Sequence, residues 1–600
     1  MPNTHQLLFT RPDPLSLQDQ AALGPMQQPA RSQFAHLLRH FLERFFNHET
    51  ASPEGDAKAR LVLIACATGL PGFVIALYLW PVYHPWSGIA PPYWLQVNHH
   101  FFYVVYSMVV MGIIAVFEWD LFFPDLLDLF VLKSLPVQDR TVFQARVAAI
   151  SVFVIGFLFD ANVLAPLVLP AATDPPSVSR FLLGHMLAVG ASGLFAALLV
   201  LAMQSTLLAL VGDRLFRKLS LFLQGLIISA LVMLLLLFPT LSGIVPLCLE
   251  SGSVYVLCFP PFWFLGIYQC LLEGASALPV YARLAQCGFV AVGLTAAVVL
   301  LTYPLAYLRK VRALAEGPGT HSRRSRIYLP FKRLIHSTIA RNPQRRAVFH
   351  FLGETLLRVQ RYRIYLVLYG GVGISIVATT LLRITVVHQQ VRCAVTTDGI
   401  LASLGIVVFW VIAGLHVAFA SPGNRQGSWV FRVVHGRPVP FQTAMEQHNA
   451  VRVWVLPAGF LVSMIACFTA RFIAPPELLT GPSTCAEMLV AAGMCLLLTD
   501  ILYLNVTTVG LTGEPDGAPS NMAITVAKYF IAIPVFAWLP VVAEPWIAAD
   551  ISHSLVTVAA VAAVHWALER RHRGIVQEHC NRRALEDDEE EFPLKLGLRG

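Results

Sequence analysis

The sequence predicts an all-α, polytopic membrane protein with about twelve transmembrane helices in a 6+6 pseudo-repeat, accompanied by interfacial amphipathic helices. Three observations carry this expectation. Mean hydropathy is +0.64, with 56% hydrophobic and only 13% charged residues, roughly half the charged fraction of a soluble domain. Apolar runs of about 17 to 30 residues, interrupted at most by an isolated charge, recur along the whole chain, and each is long enough to cross most or all of a bilayer. Lys and Arg crowd into alternate connections between these runs.

Taken in order, residues 1–60 form a segment expected on the cytoplasmic side. Met1 to Ala30 is rich in Pro and Gln and is expected to be disordered. Within 34–46, Phe34, Leu37, Leu38, Phe41, Leu42, Phe45 and Phe46 follow helical i, i+3, i+4 spacing, with Arg39, Glu43 and Arg44 on other faces, which predicts a helix lying in the interface. No short apolar core with a small-residue cleavage site precedes the first run, so that run itself is expected to direct insertion.

The first six-span unit, 61–308, contains runs at Leu61 to Trp80, Phe101 to Phe117, Val147 to Leu169, Phe181 to Leu210, Leu219 to Thr240 and Leu284 to Tyr307. Between its fifth and sixth runs, Gly243 to Ala282 is too apolar for a solvated loop and is broken by Pro260, Pro261 and Gly266. That pattern predicts a re-entrant or interfacial hairpin. A basic linker, 309–362, follows, with a second amphipathic helix marked by Phe349, Leu352, Leu356 and Val359. The second unit, 363–568, has runs at Ile364 to Leu382, Ile400 to Ala420, Val453 to Ala470, Met488 to Asn505, Met522 to Leu539 and Trp546 to Leu568, with a very short connection at Pro540 to Pro545. Residues 569–600 form a charged cytoplasmic tail.

The net charge of +8 follows this topology and does not call for a nucleic-acid partner. Arg39, Arg44, Lys58 and Arg60 precede the first run. Lys133, Arg140 and Arg146 follow the second, and Arg214, Arg217 and Lys218 the fourth. The linker between Arg309 and Arg346 is densely basic, and Arg425, Arg432 and Arg437 and then Arg570, Arg571 and Arg573 continue the alternation. Pro81 to His100 has no Lys or Arg, and the connection after the seventh run carries only Arg383 and Arg392. Both termini of a multi-pass cell-membrane protein are therefore expected in the cytoplasm. Thr507 to Asn521 is the one connection lacking its expected basic residues.

Nucleotide, dinucleotide, zinc-protease and serine-hydrolase signatures are absent. The ten cysteines show no metal-ligand spacing, although Cys248 and Cys258 share an outer connection where a disulfide is possible. Asp160, reaching interfacial water, is one of several ionisable residues scattered near the runs; the others are Asp500, Lys528, His416, His185 and Arg383. His99 and His100 are expected to be an interfacial pair.

Features converge on Glu118 to Arg146. Glu118 and Asp120 end the second run, and Asp125 and Asp128 follow Pro124. An apolar interfacial stretch leads to a Leu135-Pro136-Val137 break, after which Asp139 is placed to cap a helix bearing Arg140, Phe143 and Arg146. The expectation is a knuckle protruding at the cytoplasmic face, with Leu135, Pro136, Val137 and Phe143 forming an apolar docking surface and Arg140 and Arg146 meeting acidic groups of a partner or phospholipid. Its bland counterpart is a loop that meets only lipid headgroups.

This segment resembles the coupling region of the ABC-2 type permeases, the membrane subunits of ATP-driven exporters. Glu118 matches the acidic position after the second span, Leu132, Pro136 and Val137 the turn, and Arg140, Phe143 and Arg146 the entry to the third span. Gln138 stands where Ser is usual, Arg146 where Lys is usual, and an acidic-glycine run after the glutamate is missing. Arg437-Pro438-Val439-Pro440, with Trp429, Phe431, Val433 and Val434 before it, occupies the equivalent place in the second half and matches poorly. The resemblance implies a transport subunit that is not itself an enzyme and holds no cofactor. Its ATP would be bound on a separate ABC ATPase, as a dimer, and its other partners would be membrane lipids. Two other readings stay open: a twelve-span secondary transporter of the major facilitator type, which Asp139, Arg140 and Arg146 also fit, and a membrane-embedded lipid or glycosyl transferase using Asp125 and Asp128 at i, i+3.

Overall fold

A computed structural model describes residues 30–46, 57–84, 91–250, 254–316, 343–387, 390–420, 441–473, 484–507 and 522–589. The segments 1–29 and 590–600, the centre of the basic linker, the Trp429 to Pro440 region and most of Thr507 to Asn521 lie outside the described residues. Twelve of the described helices are long and apolar enough to span a membrane, so the chain is an all-α, multi-pass membrane protein.

Helix α1 (Ala30–Phe46) buries Leu37, Phe41 and Phe45 and exposes Arg39 and Glu43, which pair with each other, as the i, i+3, i+4 pattern requires. Spans α2 (Ala57–Tyr83) and α3 (Tyr93–Phe117) lead to the short helix α4 (Leu126–Ser134). Spans α5 (Asp139–Thr173), α6 (Val178–Val211) and α7 (Asp213–Leu236) follow. Between the fifth and sixth spans lie α8 (Phe238–Glu250), which follows directly on α7 and touches α3, and α9 (Pro260–Glu273), which packs against α10 (Pro279–Ala315). At Gly266 an added Cβ would lie 2.8 Å from the Tyr281 carbonyl oxygen, so only glycine permits this approach of α9 to α10.

The second half contains α11 (Pro343–Arg358), α12 (Gln360–Leu381), α13 (Thr397–Ala420), α14 (Phe441–Ile473), α15 (Thr484–Tyr503), α16 (Met522–Ala549) and α17 (Ile551–Glu589). Phe349, Leu352 and Leu356 on α11 face inward, while Val359 is exposed at the break before α12.

Three boundaries differ from expectation. An antiparallel hairpin, β1 (Leu382–Val387) with β2 (Gln390–Val395), joins α12 to α13, pairing Leu382 with Val395 and Val387 with Gln390. Apart from Leu382 at its start, it lies in the connection expected after the seventh run, where no strand was predicted. Helix α16 continues through the expected Pro540 to Pro545 connection and stops at Asp550. The reason is local: each proline removes one helical hydrogen bond, whereas the Asp550 carboxylate accepts from both the amide and the hydroxyl of Ser552 and starts α17. The expected tail after Leu568 begins instead as a continuation of α17 to Glu589.

Among the described residues the second half is built on one large and one small buried cluster and the first half on three, one of which also takes in Val367 and Leu368 of α12. Among the described residues the halves meet chiefly along α7 and α12. Gly225 and Ser229 on α7 face Gly371 and Ser375 on α12, a small-x-x-x-small pattern on both helices. Ser375 Oγ donates to the Ser229 carbonyl (2.8 Å), and Ser229 Oγ to that of Gly371 (3.3 Å). A Cβ at Gly371 would sit 2.9 Å from Ile228 Cγ2. Gly371→Leu is therefore expected to cost about 1–3 kcal/mol through overpacking. It should also sharply reduce oxidative cross-linking in a Ser229→Cys/Ser375→Cys protein; unchanged cross-linking yield would show that this seam is not what holds the halves together.

Candidate functional site

The Glu118 to Arg146 segment has a buried root and an exposed tip. Trp119, Leu121, Phe122 and Phe123 turn inward into the core formed by α1, α3, α5 and α6. Their turn is tied down where Tyr303 Oη donates to the Phe122 carbonyl (2.7 Å) and Gln204 Nε2 to that of Trp119. Asp125 then caps α4. Its carboxylate accepts from the Asp128 amide (2.7 Å), and Asp128 reciprocates with the Asp125 amide (3.5 Å), a capping box. Helix α4 ends at Leu135, held extended at φ −91°, ψ 149° because the residue before a proline avoids helical geometry.

Asp128 is the hub of this arrangement. It is 5% exposed and lies between two guanidiniums, Arg44 from α1 and Arg146 from α5, while Arg44 also holds Asp125. The Arg146 Cζ lies 4.6 Å from the centre of the Phe41 ring. One interfacial helix, the knuckle and the third span are thereby fastened at a single carboxylate.

This placement corrects several expectations. Arg146 is buried and engaged by Asp128, so it is not a surface cation for a partner. Phe143, expected on the outer apolar surface, is half-buried and packs on Tyr303 and Tyr307. Asp125 and Asp128 are committed to guanidiniums, which makes the i, i+3 acidic pair an anchor instead of an open carboxylate pair. Asp139 is the first residue of α5, preceded by Gln138 at the cap with no side-chain cap bond; there its charge favours the positive end of the helix dipole. Leu135, Pro136 and Arg140 are exposed as expected, Val137 is half-buried, and the tip adds Leu126, Phe130 and Val131, with Phe130 69% exposed.

Glu118 and Asp120 close the second span at partly buried positions. Burial, reinforced by the neighbouring Asp120 charge, pushes the Glu118 carboxyl up to about 8. Burial raises Asp120 to about 6 against the opposing pull of Lys310 and Arg363. Arg363 belongs to α12, so the end of the second span senses charge from the other half.

Scattered polar residues also gather. Arg452 on α14 meets Asp500 on α15 (3.2 Å) and Glu569 on α17, and His565 Nδ1 lies 2.5 Å from Asp500 Oδ2. Arg345 on α11 grips Glu446 on α14 with two hydrogen bonds of 2.7 and 3.2 Å; Lys310 on α10 reaches Asp213 at the start of α7 (2.6 Å). Both halves thus tie the pre-span helix and the last span to the bundle by ion pairs. His100, expected at the interface with His99, is instead buried, stacked on Tyr268 and bonded to Gln269 (3.0 Å). His185 is fully buried against Tyr268 (3.1 Å). Asp160 accepts from Thr68 on α2. Only the ion-pair signs along helix ends hinted at these groupings; the contacts cross spans far apart in sequence.

No protein-family model, curated protein or solved structure matches this chain.

Removing Asp128 leaves the buried Arg146 guanidinium without its carboxylate and Arg44 with Asp125 alone. Asp128→Ala is expected to destabilise by about 3–5 kcal/mol, and Asp128→Ala combined with Arg146→Met to recover much of that loss, both read from thermal unfolding in detergent. Equal destabilisation of the single and double variants would remove Asp128 from its role as hub. A raised carboxyl pKa means the folded state holds a proton that the unfolded chain releases. Stability from Glu118 therefore falls as pH rises from its ordinary value of 4.5 through about 8. Glu118→Gln is expected to raise Tm relative to the unsubstituted chain at alkaline pH and to leave it nearly unchanged in acid. A pH-independent Tm difference would refute the assignment.

Proposed function

We propose that the protein is the transmembrane permease subunit of an ATP-driven exporter, coupled to a separate ATPase dimer through the knuckle on α4. The observation that carries this reading is the contrast within one segment. An apolar tip containing Phe130, Val131 and Leu135 lies outside the spans and is exposed, while its base is fixed by the Arg44, Asp128 and Arg146 ion pairs. A rigidly rooted apolar projection is the form of a docking element that transmits force without bending. ATP is bound on the partner, whose closure pushes α4. Helix α5, continuous with the knuckle, carries that displacement into the first six spans, and the narrow α7 and α12 seam lets one half shift against the other. The protein resides in the cell membrane with both termini in the cytoplasm, on the side of the basic connections.

A second reading, a twelve-span secondary transporter coupled to protons, is favoured by the ionisable groups inside the second half. Asp500 is 3% exposed within its network, and Glu544 on α16 is 1% exposed with neither carboxylate oxygen hydrogen-bonded among the described residues. Groups of this kind within spans mark ion or proton routes.

The deciding experiment is purification of the tagged protein from its native membrane in mild detergent, with mass spectrometry for a co-purifying ATPase bearing a phosphate-binding loop. Near-stoichiometric recovery that falls at least about tenfold in Phe130→Asp/Val137→Asp is the expected result. Absence of an ATPase, together with transport driven by a proton gradient and lost in Asp500→Asn, would replace the first reading by the second.

A further inference from the structure

The second half treats its buried carboxylates unequally. Asp500 on α15 is met by Arg452 at one oxygen and by His565 at the other. Glu544, buried within the span of α16, has neither oxygen hydrogen-bonded among the described residues. Its helix face brings no help. Phe536, Pro540 and Ile547 lie at helical spacing from it and are apolar. The same face is pressed on α13, where a Cβ added at Gly405 would collide with the Phe536 carbonyl oxygen and lie 3.0 Å from Pro540 Cγ. The backbone adds acceptors only, because Pro540 and Pro545 lack the N–H groups that would bond to the Phe536 and Val541 carbonyls.

Helices α13, α15 and α17 pack against α16. At the end of the bundle nearest Glu544 they bring Asp398 at the start of α13, Glu487 on α15 and His553 on α17, with Asp550 at the break after α16. All are acids except His553, whose Nδ1 donates to the Trp546 carbonyl (2.8 Å). His416, Asp500, His565 and Glu569 of the same helices lie towards the opposite end. An ionised Glu544 would thus be a buried anion among acids, apolar side chains and unfilled carbonyls, a costly arrangement within a span. The neutral acid avoids that cost and carries an O–H that such carbonyls can accept. A proton also needs no cavity. A metal ion needs several ligands, and among the described residues no group of three or more His, Cys, Asp or Glu side chains gathers to supply them. We infer that Glu544 is a proton-binding site, occupied while α16 is packed on α13 and emptied when that contact opens at the Asp550 end of the helix. The path is short, about 7.5 Å of helix rise from Glu544 to Ala549, and Asp550 and Ile551 just beyond are exposed. The inference rests on the surroundings of Glu544 and holds whether or not a proton gradient drives transport.

The test uses the full-length protein in lipid vesicles and reads the proton with no gradient present. An infrared difference spectrum at neutral pH between the unsubstituted chain and Glu544→Gln, which keeps the size and neutrality of the protonated acid, is expected to show the C=O stretch of one carboxylic acid missing from the variant. Glu118 and Asp120 contribute to both spectra and cancel. Loss of an ionised carboxylate band instead would overturn the site. An acid band that gives way to a carboxylate band when sodium replaces choline would identify an alkali cation as the ligand and overturn the proton assignment. Opening is read from Ile547→Cys, a buried position about one turn beyond Glu544, by its rate of labelling with a membrane-impermeant maleimide, measured on its peptide by mass spectrometry. Divided by the rate in Ile547→Cys/Glu544→Gln at the same pH, this rate is expected to rise about fivefold or more from neutral to alkaline pH. A ratio that does not change with pH would overturn the link between the proton and the α13 contact.

Discussion

The arrangement of the first half turns on one buried carboxylate. Asp128 caps its own helix through the box with Asp125 and receives guanidiniums from α1 and α5. Burial makes these interactions interdependent, because a charge removed from water must keep its partners or lose far more than a surface pair contributes. Consequently α1 cannot leave the bundle, α4 cannot rotate, and α5 cannot slide without disturbing the same carboxylate. The phenylalanines of α1 reinforce this geometry, with Phe45 stacked on Phe153 at 4.6 Å and Phe41 beneath Arg146. What remains free to meet another molecule is the outer side of α4 and the proline turn.

A second constraint is the way the halves meet. In a bilayer, apolar side chains gain little by leaving lipid for protein, so association relies on close backbone approach and on hydrogen bonds. The glycine and serine pairs of α7 and α12 supply both. The adjoining charges, Arg363 on α12 acting on Asp120, place an electrostatic link beside this seam. Ion pairs at the ends of the spans, Lys310 with Asp213 and Arg452 with Asp500 and Glu569, brace each half internally.

Much of the fold was legible from composition because the bilayer imposes a length and a polarity on every span. Hydropathy located twelve spans, and the heptad-like phenylalanines located α1. Where the sequence misled, local signals competed. Pro540 and Pro545 suggested a connection, yet α16 runs through both, and Asp550, whose carboxylate accepts from Ser552, marks the true break. The connection after α12, for which the sequence predicted no regular element, is a two-stranded hairpin. Asp139 looked like a cap and lies one position inside its helix.

The sequence by itself determined which residues enter the membrane, which connections carry positive charge and where an amphipathic knuckle interrupts the first half, since these follow from hydropathy, length and periodicity within single segments. Only the tertiary structure decided which members of the knuckle face outward. Phe143 and Arg146 share its sequence signature with Leu135 and Arg140, but helix phase and the position of α1 bury Arg146, lay a half-buried Phe143 on Tyr303 and Tyr307, and leave the second pair exposed. The pairing of Arg44 with Asp128 across 84 positions, and of Arg452 with Asp500 across 48, depends on which spans become neighbours. That choice rests on packing and buried charge summed over the whole bundle, which no single stretch of the chain encodes.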